Sequence, residues 1–221
     1  MNVSQIFSNI RAATKRVGLI RALQQFVAYA LNKAFVFSRF DVIYLTRDRL
    51  VALKPEKYVG YETRIATETD LLEMKKDPAW EITDELFSGF KNGDVCLVSY
   101  VGGKRAGYTW VHTKGQPRLV PGLRISVPDD YIYNFAGYTH PDFRGAGLQP
   151  YRHNQTLNRP EWKDKKGMIG YVAATNFSSK QGQSKSGYQP LGTIRLIGFK
   201  GKFFALFSKE LSQLGIRKLS S

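Results

Sequence analysis

Tyr131-Ile132-Tyr133-Asn134-Phe135-Ala136-Gly137-Tyr138-Thr139-His140-Pro141-Asp142-Phe143-Arg144-Gly145-Ala146-Gly147-Leu148-Gln149-Pro150-Tyr151 is the stretch whose reading decides the fold. Its first nine residues, rich in aromatic and apolar side chains, predict a long strand from Tyr131 to Thr139. Pro141 stops that strand, and Arg144-Gly145-Ala146-Gly147 opens a helix from about Gln149. Strand, glycine turn and helix start together describe an anion cradle. Glycine lets the backbone bend tightly and approach a ligand. The unpaired amide hydrogens and dipole of the helix start favour negative charge, and Arg144 adds a full cation. A pyrophosphate suits such a turn, although the same residues also fit a plain tight connection. Gly-x-Gly-x-x-Gly and the phosphate loop ending in Gly-Lys-Ser/Thr are both missing.

Outward from this stretch the elements follow a regular order. Downstream lie a strand at 168–174, a helix near 177–186 and a closing apolar pair around Gly198 to Gly201. Upstream, strands 94–101 and 105–113 flank a Gly102-Gly103-Lys104 turn, a hairpin signature. A Pro- and Gly-bearing loop from Gly115 to Pro128 leads to the long strand. Earlier still, Thr63–Ala66 reads as a strand, Thr69-Asp70 as a helix cap before Leu71–Met74, and Thr83–Lys91 as a second helix. Two short strands, 42–46 and 50–53, surround Arg47-Asp48-Arg49, and Pro55 marks a boundary. Hairpins mixed with strand–helix–strand crossovers predict a mixed, mostly antiparallel α/β sheet flanked by helices.

The first 40 residues differ from the rest. They hold six basic residues (Arg11, Lys15, Arg16, Arg21, Lys33, Arg39) and no acidic one, with apolar residues at helical spacing from Ile6 to Ala34. They are read as a basic amphipathic helical extension, 1–40, ahead of a domain at 41–221. The helix either docks on the domain or lies on an anionic membrane surface.

Composition sets the frame. The 221 residues are 43% hydrophobic and 13% aromatic, enough for a sizeable core, and the net charge of +15 calls for an anionic partner. Dispersed basic residues without a recognition helix argue against a nucleic-acid module. Cys96, alone inside Val95-Cys96-Leu97-Val98, excludes an internal disulfide or Cys-based metal site and reads as a buried strand thiol. No metal is expected. No secretory leader is evident, and no window reaches about 18 uninterrupted apolar residues, so a cytoplasmic protein is expected, peripheral at most to the inner face of a membrane.

His140 to Leu148 resemble the coenzyme A signature of the GNAT (GCN5-related N-acetyltransferase) superfamily, Arg/Gln-x-x-Gly-x-Gly/Ala, which follows a strand and a Pro-acidic-aromatic step. Gln149 departs from it where Gly or Ala is usual. Asn176-Phe177-Ser178-Ser179 and Lys185-Ser186-Gly187-Tyr188 resemble a second segment of the family at matching spacing. The resemblance covers about residues 61–208. It implies a sheet splayed into a V-shaped cleft, acetyl-CoA as co-substrate, and transfer of the acyl group by direct attack of an amine. It implies that Tyr138, Thr139 and His140 contact pantetheine, that Arg144, Gly145, Ala146, Gly147, Leu148 and Gln149 hold the pyrophosphate, and that Asn176 bonds the pantetheine arm. The Thr139 amide would polarise the thioester carbonyl. Gln183 stands where many members have a tyrosine acid, and Tyr133 where some have a glutamate base. Tyr133, His140, His112 and Glu85 are the titratable candidates. The acceptor expected is a small-molecule amine, with an amino sugar favoured. A protein amine, or a degenerate member that binds coenzyme A or a membrane without turnover, are the alternatives. Oligomeric state is open, and a dimer is compatible with the sequence.

Overall fold

The computed structural model describes residues 35–114, 116–199 and 202–219, with Ile20, Arg21, Gln24 and Val27 described ahead of them in helical conformation. The rest of the expected N-terminal helix up to Ala34 lies outside the described residues. In chain order the elements are β1 (Phe35–Thr46), β2 (Tyr61–Ile65), α1 (Glu68–Lys76), α2 (Asp84–Lys91), β3 (Val95–Val101), β4 (Lys104–His112), β5 (Arg118–Val120), β6 (Leu123–Arg124), β7 (Tyr131–Thr139), α3 (Leu148–Leu157), β8 (Gly167–Ala173), α4 (Phe177–Lys185), β9 (Gln189–Phe199), β10 (Lys202–Phe207) and α5 (Lys209–Gln213).

Eight strands form one sheet in the order β10-β9-β1-β8-β7-β4-β3-β2, and β5 with β6 makes a small hairpin. Every neighbouring pair in the large sheet is antiparallel except β7 with β8. The mixed, mostly antiparallel sheet flanked by helices is the architecture expected from the sequence. Local chemistry explains the joints. Gly102 and Gly103 adopt φ of 55° and 75°, the left-handed pair that a two-residue hairpin requires. Thr67 caps α1 in a capping box: its hydroxyl accepts from the Asp70 amide at 3.1 Å, while its own amide donates to Asp70 Oδ2 at 2.9 Å. The cap is thus two residues upstream of the expected Thr69, because Asp70 serves as the partner rather than the cap.

Two expectations for the first 60 residues are corrected. Residues 35–40 are strand, so no helix runs as far as residue 40, and 50–53 form no strand. β1 is one 12-residue strand, inserted between β8 and β9, with Val42, Ile43 and Leu45 at most 8% exposed. Val42 and Ile43, on opposite faces of the strand, are both buried, which removes there the alternation that marks a half-exposed strand.

Side-chain alternation divides the core. Cys96 and Val98 of β3 and Trp110 of β4 pack with Leu71 and Met74 of α1 on one face. Leu97, Val111, Ile132 and Met168 meet Leu157 of α3 on the other. Cys96 is fully buried, and burial pushes its thiol pKa upward, as an inert strand cysteine requires. Among the described residues no helix is long and apolar enough to cross a membrane, and no three His, Cys, Asp or Glu side chains cluster as metal ligands.

β1 is therefore expected to be indispensable. Leu45→Ala should cost about 2–5 kcal/mol in urea melts, and a chain lacking residues 1–46 should lose its cooperative thermal transition.

Candidate active site

β7 and β8 pair in parallel only from Tyr131 to Asn134, opposite Gly167 to Gly170. Beyond Asn134 they part. The cause lies on the other edge of β7, where the register with β4 shifts between Tyr108 and Trp110 and Ala136 adopts φ 45°. Such a bulge bends its strand and raises the local twist. Past the bulge the ladder to β4 resumes, and the His140 amide donates to the Ala106 carbonyl at 2.9 Å. Bonded and non-bonded pairs alternate along an antiparallel ladder. Thr139, opposite Gly107, therefore turns its N–H and C=O away from β4, toward the side that β8 has left.

The strand edge runs directly into the glycine turn. Arg144 Nε donates to the Thr139 carbonyl at 3.3 Å, folding the guanidinium back over the edge. Gly145 and Gly147 adopt φ of 82° and 76°, and Gly147 is the N-cap of α3 without a side-chain cap bond. The first-turn amides of Leu148 and Gln149 have no partner one turn back, and Pro150 has no amide to leave unsatisfied. Leu148 is buried and anchors the turn. Gln149 packs its side-chain amide against Gly182 of α4, so the glycine missing from position 149 is matched by one on the facing helix. Tyr138, Thr139, His140 and residues 144–149 thus form one continuous surface.

Two contributors were not visible in the sequence. Lys57 Nζ and Tyr58 Oη each lie 3.1 Å from where a Cβ on Gly147 would stand. Tyr58 is fixed by stacking on Tyr151, with ring centroids 5.0 Å apart, and Tyr61 Oη donates to the Ala146 carbonyl at 3.0 Å. An ammonium therefore sits over the turn, delivered from a segment about 90 residues away that carries no motif.

The remaining candidates are placed as follows. Asn176 caps α4, its Oδ1 accepting from the Ser179 amide at 3.1 Å and the Ser178 hydroxyl at 3.0 Å. His140 stands at the end of β7 with its ring 5.3 Å from that of Trp80, and its Nδ1 accepts from the Asp142 amide at 3.4 Å. Tyr133 does not stand as a base. It is 2% exposed, stacks between Phe135 and Tyr171, and burial raises its pKa, the opposite of what proton abstraction needs. Its hydroxyl and His112 Nε2 are buried without a partner at a cavity of about 10 Å³, while His112 Nδ1 meets Asp94 at 2.5 Å. Glu85 is tied to Arg118. Gln183 lines a separate cavity of about 400 Å³ between α4 and strands β1 and β9.

Beneath the point of parting lies a buried polar cluster. Thr109 Oγ1 donates to Asn134 Oδ1 at 2.6 Å, Asn134 Nδ2 donates to Tyr188 Oη at 3.0 Å, and His153 Nε2 lies 3.3 Å from the same nitrogen. Arg152 Nη1 donates to the Tyr138 carbonyl at 3.1 Å. Burial, and then the Arg152 charge, push the His153 pKa down to about 3. The native state leaves this imidazole neutral where the unfolded chain, near pKa ~6.5, binds a proton. Its contribution is therefore lost as pH falls from about 6.5 toward about 3, by up to ~1.4 kcal/mol per unit. His153→Gln should remove that share of the slope when urea melts are compared at stepped pH.

No family model and no curated relative matches the chain. Solved structures do resemble it. A GCN5-related glucosamine N-acetyltransferase region of a fungal multidomain GH3 β-N-acetylglucosaminidase is 12% identical over 80% of this chain and 23% of that one, at TM-score 0.52. A GCN5-related N-acetyltransferase from Kribbella flavida is 13% identical over 80% and 64%, at 0.48. A GNAT-family acetyltransferase from Colwellia psychrerythraea is 14% identical over 80% and 62%, at 0.49. The chain spans less than two thirds of the length of each of these three proteins. At such identities the likeness speaks of architecture, and by architecture the chain has the GNAT fold.

Proposed function

We propose that the chain is an acyl-CoA-dependent N-acyltransferase that moves an acetyl group onto the primary amine of a small molecule. The observation that carries this reading is the continuity of an open strand edge at Thr139 with an uncapped helix start at Gly147. The residues present fit coenzyme A. First-turn amides of α3, with Lys57 above them and Arg144 beside them, complement a pyrophosphate. The Thr139 edge complements the amides of a pantetheine arm, and the Asn176 side chain at the start of α4 is assigned to the same arm. Bound acetyl-CoA would supply the activated acyl carbon. The chain's own part is to orient and polarise: the Thr139 N–H is a fixed dipole suited to developing negative charge, and holding both reactants together supplies proximity. His140 is the candidate base.

An amino sugar is the acceptor we favour. Trp80 and Tyr138, with ring centroids 6.0 Å apart, present flat apolar faces beside His140 of the kind that pack on a sugar ring. The fungal structural neighbour acts on glucosamine. A second reading, binding without turnover, draws support from the burial of Tyr133 and from Gln183 in the place of a proton donor.

Calorimetry with coenzyme A, followed by thiol-release assays on a panel of amines that includes amino sugars, separates the two. Gly147→Trp forces a side chain into a left-handed backbone position against Lys57 and Tyr58, and should weaken coenzyme A at least tenfold. Unchanged turnover in that variant would sink the placement of the cofactor. Thr139→Pro removes the amide that faces the cleft without removing a ladder bond to β4, and turnover should fall by on the order of 10²–10³ while circular dichroism stays that of the wild type.

Peripheral contact with an anionic membrane is part of the same proposal. Ile20 and Val27, each in helical conformation and seven residues apart in sequence, are 76% and 47% exposed, in a segment without acidic residues. Anionic vesicles should co-sediment the full chain and release it on addition of salt. Equal pelleting of a variant with Ile20 and Val27 both changed to Asp would overturn the contact.

A further inference from the structure

Arg152 is a buried cation without an anion. It is 2% exposed on the sheet-facing side of α3, and among the described residues no carboxylate pairs with it. Its one hydrogen bond runs from Nη1 to the Tyr138 carbonyl, and its Nε is buried without a partner. The groups that face it are neutral. Cys96 of β3, Tyr108 of β4 and Tyr188 ahead of β9 have pKa values raised by burial, and His153 beside it is uncharged near neutral pH. Burial lowers the Arg152 pKa only to about 10, so the charge persists in the working range. A lone buried charge is expensive.

Two glycines make room for this charge. A Cβ on Gly107 would lie 2.9 Å from Nη1 and 2.5 Å from the Tyr138 carbonyl, and one on Gly137 would lie 4.0 Å from Nη2. Gly137 follows the bulge residue Ala136, in the segment of β7 that has left β8. The guanidinium therefore lies within 4.0 Å of the Cβ position of a residue in that parted segment, where glycine contributes no side chain. A buried cation that the fold leaves unneutralised, next to a cleft, suits a reaction that creates an anion there.

We infer that Arg152 is a positioning residue whose charge stabilises the coenzyme A thiolate released at the parted edge of β7. The inference rests on the acyl-transfer reading. In that reaction the amine nitrogen bonds to the acyl carbon, the carbon–sulfur bond breaks with its electron pair going to sulfur, and the surplus ammonium proton passes to His140, the candidate base, and from there to water. Sulfur then needs no proton in the cleft, so a glutamine at position 183, where the family resemblance implies a tyrosine acid, does not prevent the reaction. Low effective dielectric around the cluster lets one charge act over several ångströms.

The test titrates the thiol of bound coenzyme A by its thiolate ultraviolet absorbance, alongside affinity by calorimetry. In the wild type the bound thiol should titrate about one unit or more below the value measured for coenzyme A free in the same buffer. Arg152→Gln, which keeps a donor for the Tyr138 carbonyl, should bind coenzyme A within a few-fold yet return the thiol to about its free value. Arg152→Lys should keep most of the shift. Turnover in Arg152→Gln should fall about tenfold or more with KM for acetyl-CoA little changed. If Arg152→Gln does not fold, Arg152→Met carries the same comparison. Bound coenzyme A whose thiol titrates alike with and without the charge overturns this inference alone. A wild type that binds no coenzyme A overturns the acyl-transfer reading and this inference together.

Discussion

Where β7 releases β8 decides what this molecule is able to hold. Four residue pairs join the two strands, and the bulge at Ala136 then turns β7 aside. An open edge inside a sheet is costly to maintain, because each unpaired backbone group must find water or a ligand. The gap persists because both banks are held from behind. β7 keeps its ladder to β4 as far as Thr139, and β8 is secured along all seven of its residues, Gly167 to Ala173, by Thr46 to Phe40 of β1. Without β1, β8 would be a seven-residue strand with four paired positions, free to close the gap or to drift. The N-terminal strand is thus part of the machinery that keeps the cleft apart, although it lies outside the segment that carries the family motifs.

How much of this was legible follows from the range of the interactions. β7 was readable to the residue, since its aromatic pattern begins after Asp130 and Pro141 forbids its continuation. The β3–β4 hairpin was readable from Gly102-Gly103, whose left-handed geometry is a local property. The glycine turn and the start of α3 were readable for the same reason. β1 was not. Its residues pair with β8 and β9, more than 120 positions away, and at Val42 and Ile43 both faces are buried, so the pattern there shows no alternation to separate it from the helical spacing that precedes it. The cap of α1 was misread by two residues because Thr67 and Thr69 are equivalent until the Asp70 side chain chooses one.

The site was legible where it is backbone and opaque where it is side chain. Amide donors at 144–149 follow from glycine and helix geometry alone. Lys57 over Gly147, Gly182 under Gln149 and Arg152 between Gly107 and Gly137 are meetings of distant segments, and in each a missing Cβ is what permits the contact. The departure at Gln149 looked like a loss of the family pattern. In three dimensions the small residue has moved across the α3–α4 contact, so the two helices keep their approach. Gly107 and Gly137, which carry no motif in the sequence, leave the space that a buried guanidinium occupies.

That guanidinium bears on the puzzle of a cleft with no evident proton donor. In the proposed transfer Gln183 has no acidic proton to give the leaving group, and Tyr133, the candidate base, is sealed between two aromatic rings. A departing thiolate is a weak base, and what it lacks in an apolar cleft is positive potential rather than a proton. Potential acts at a distance and needs no contact. It can be supplied from behind a strand, from a residue whose own neighbours, Cys96, Tyr108, Tyr188 and His153, are all held neutral by burial. The same burial that makes Arg152 costly to the fold keeps its field unscreened, and a carboxylate partner would have removed the cost and the field together.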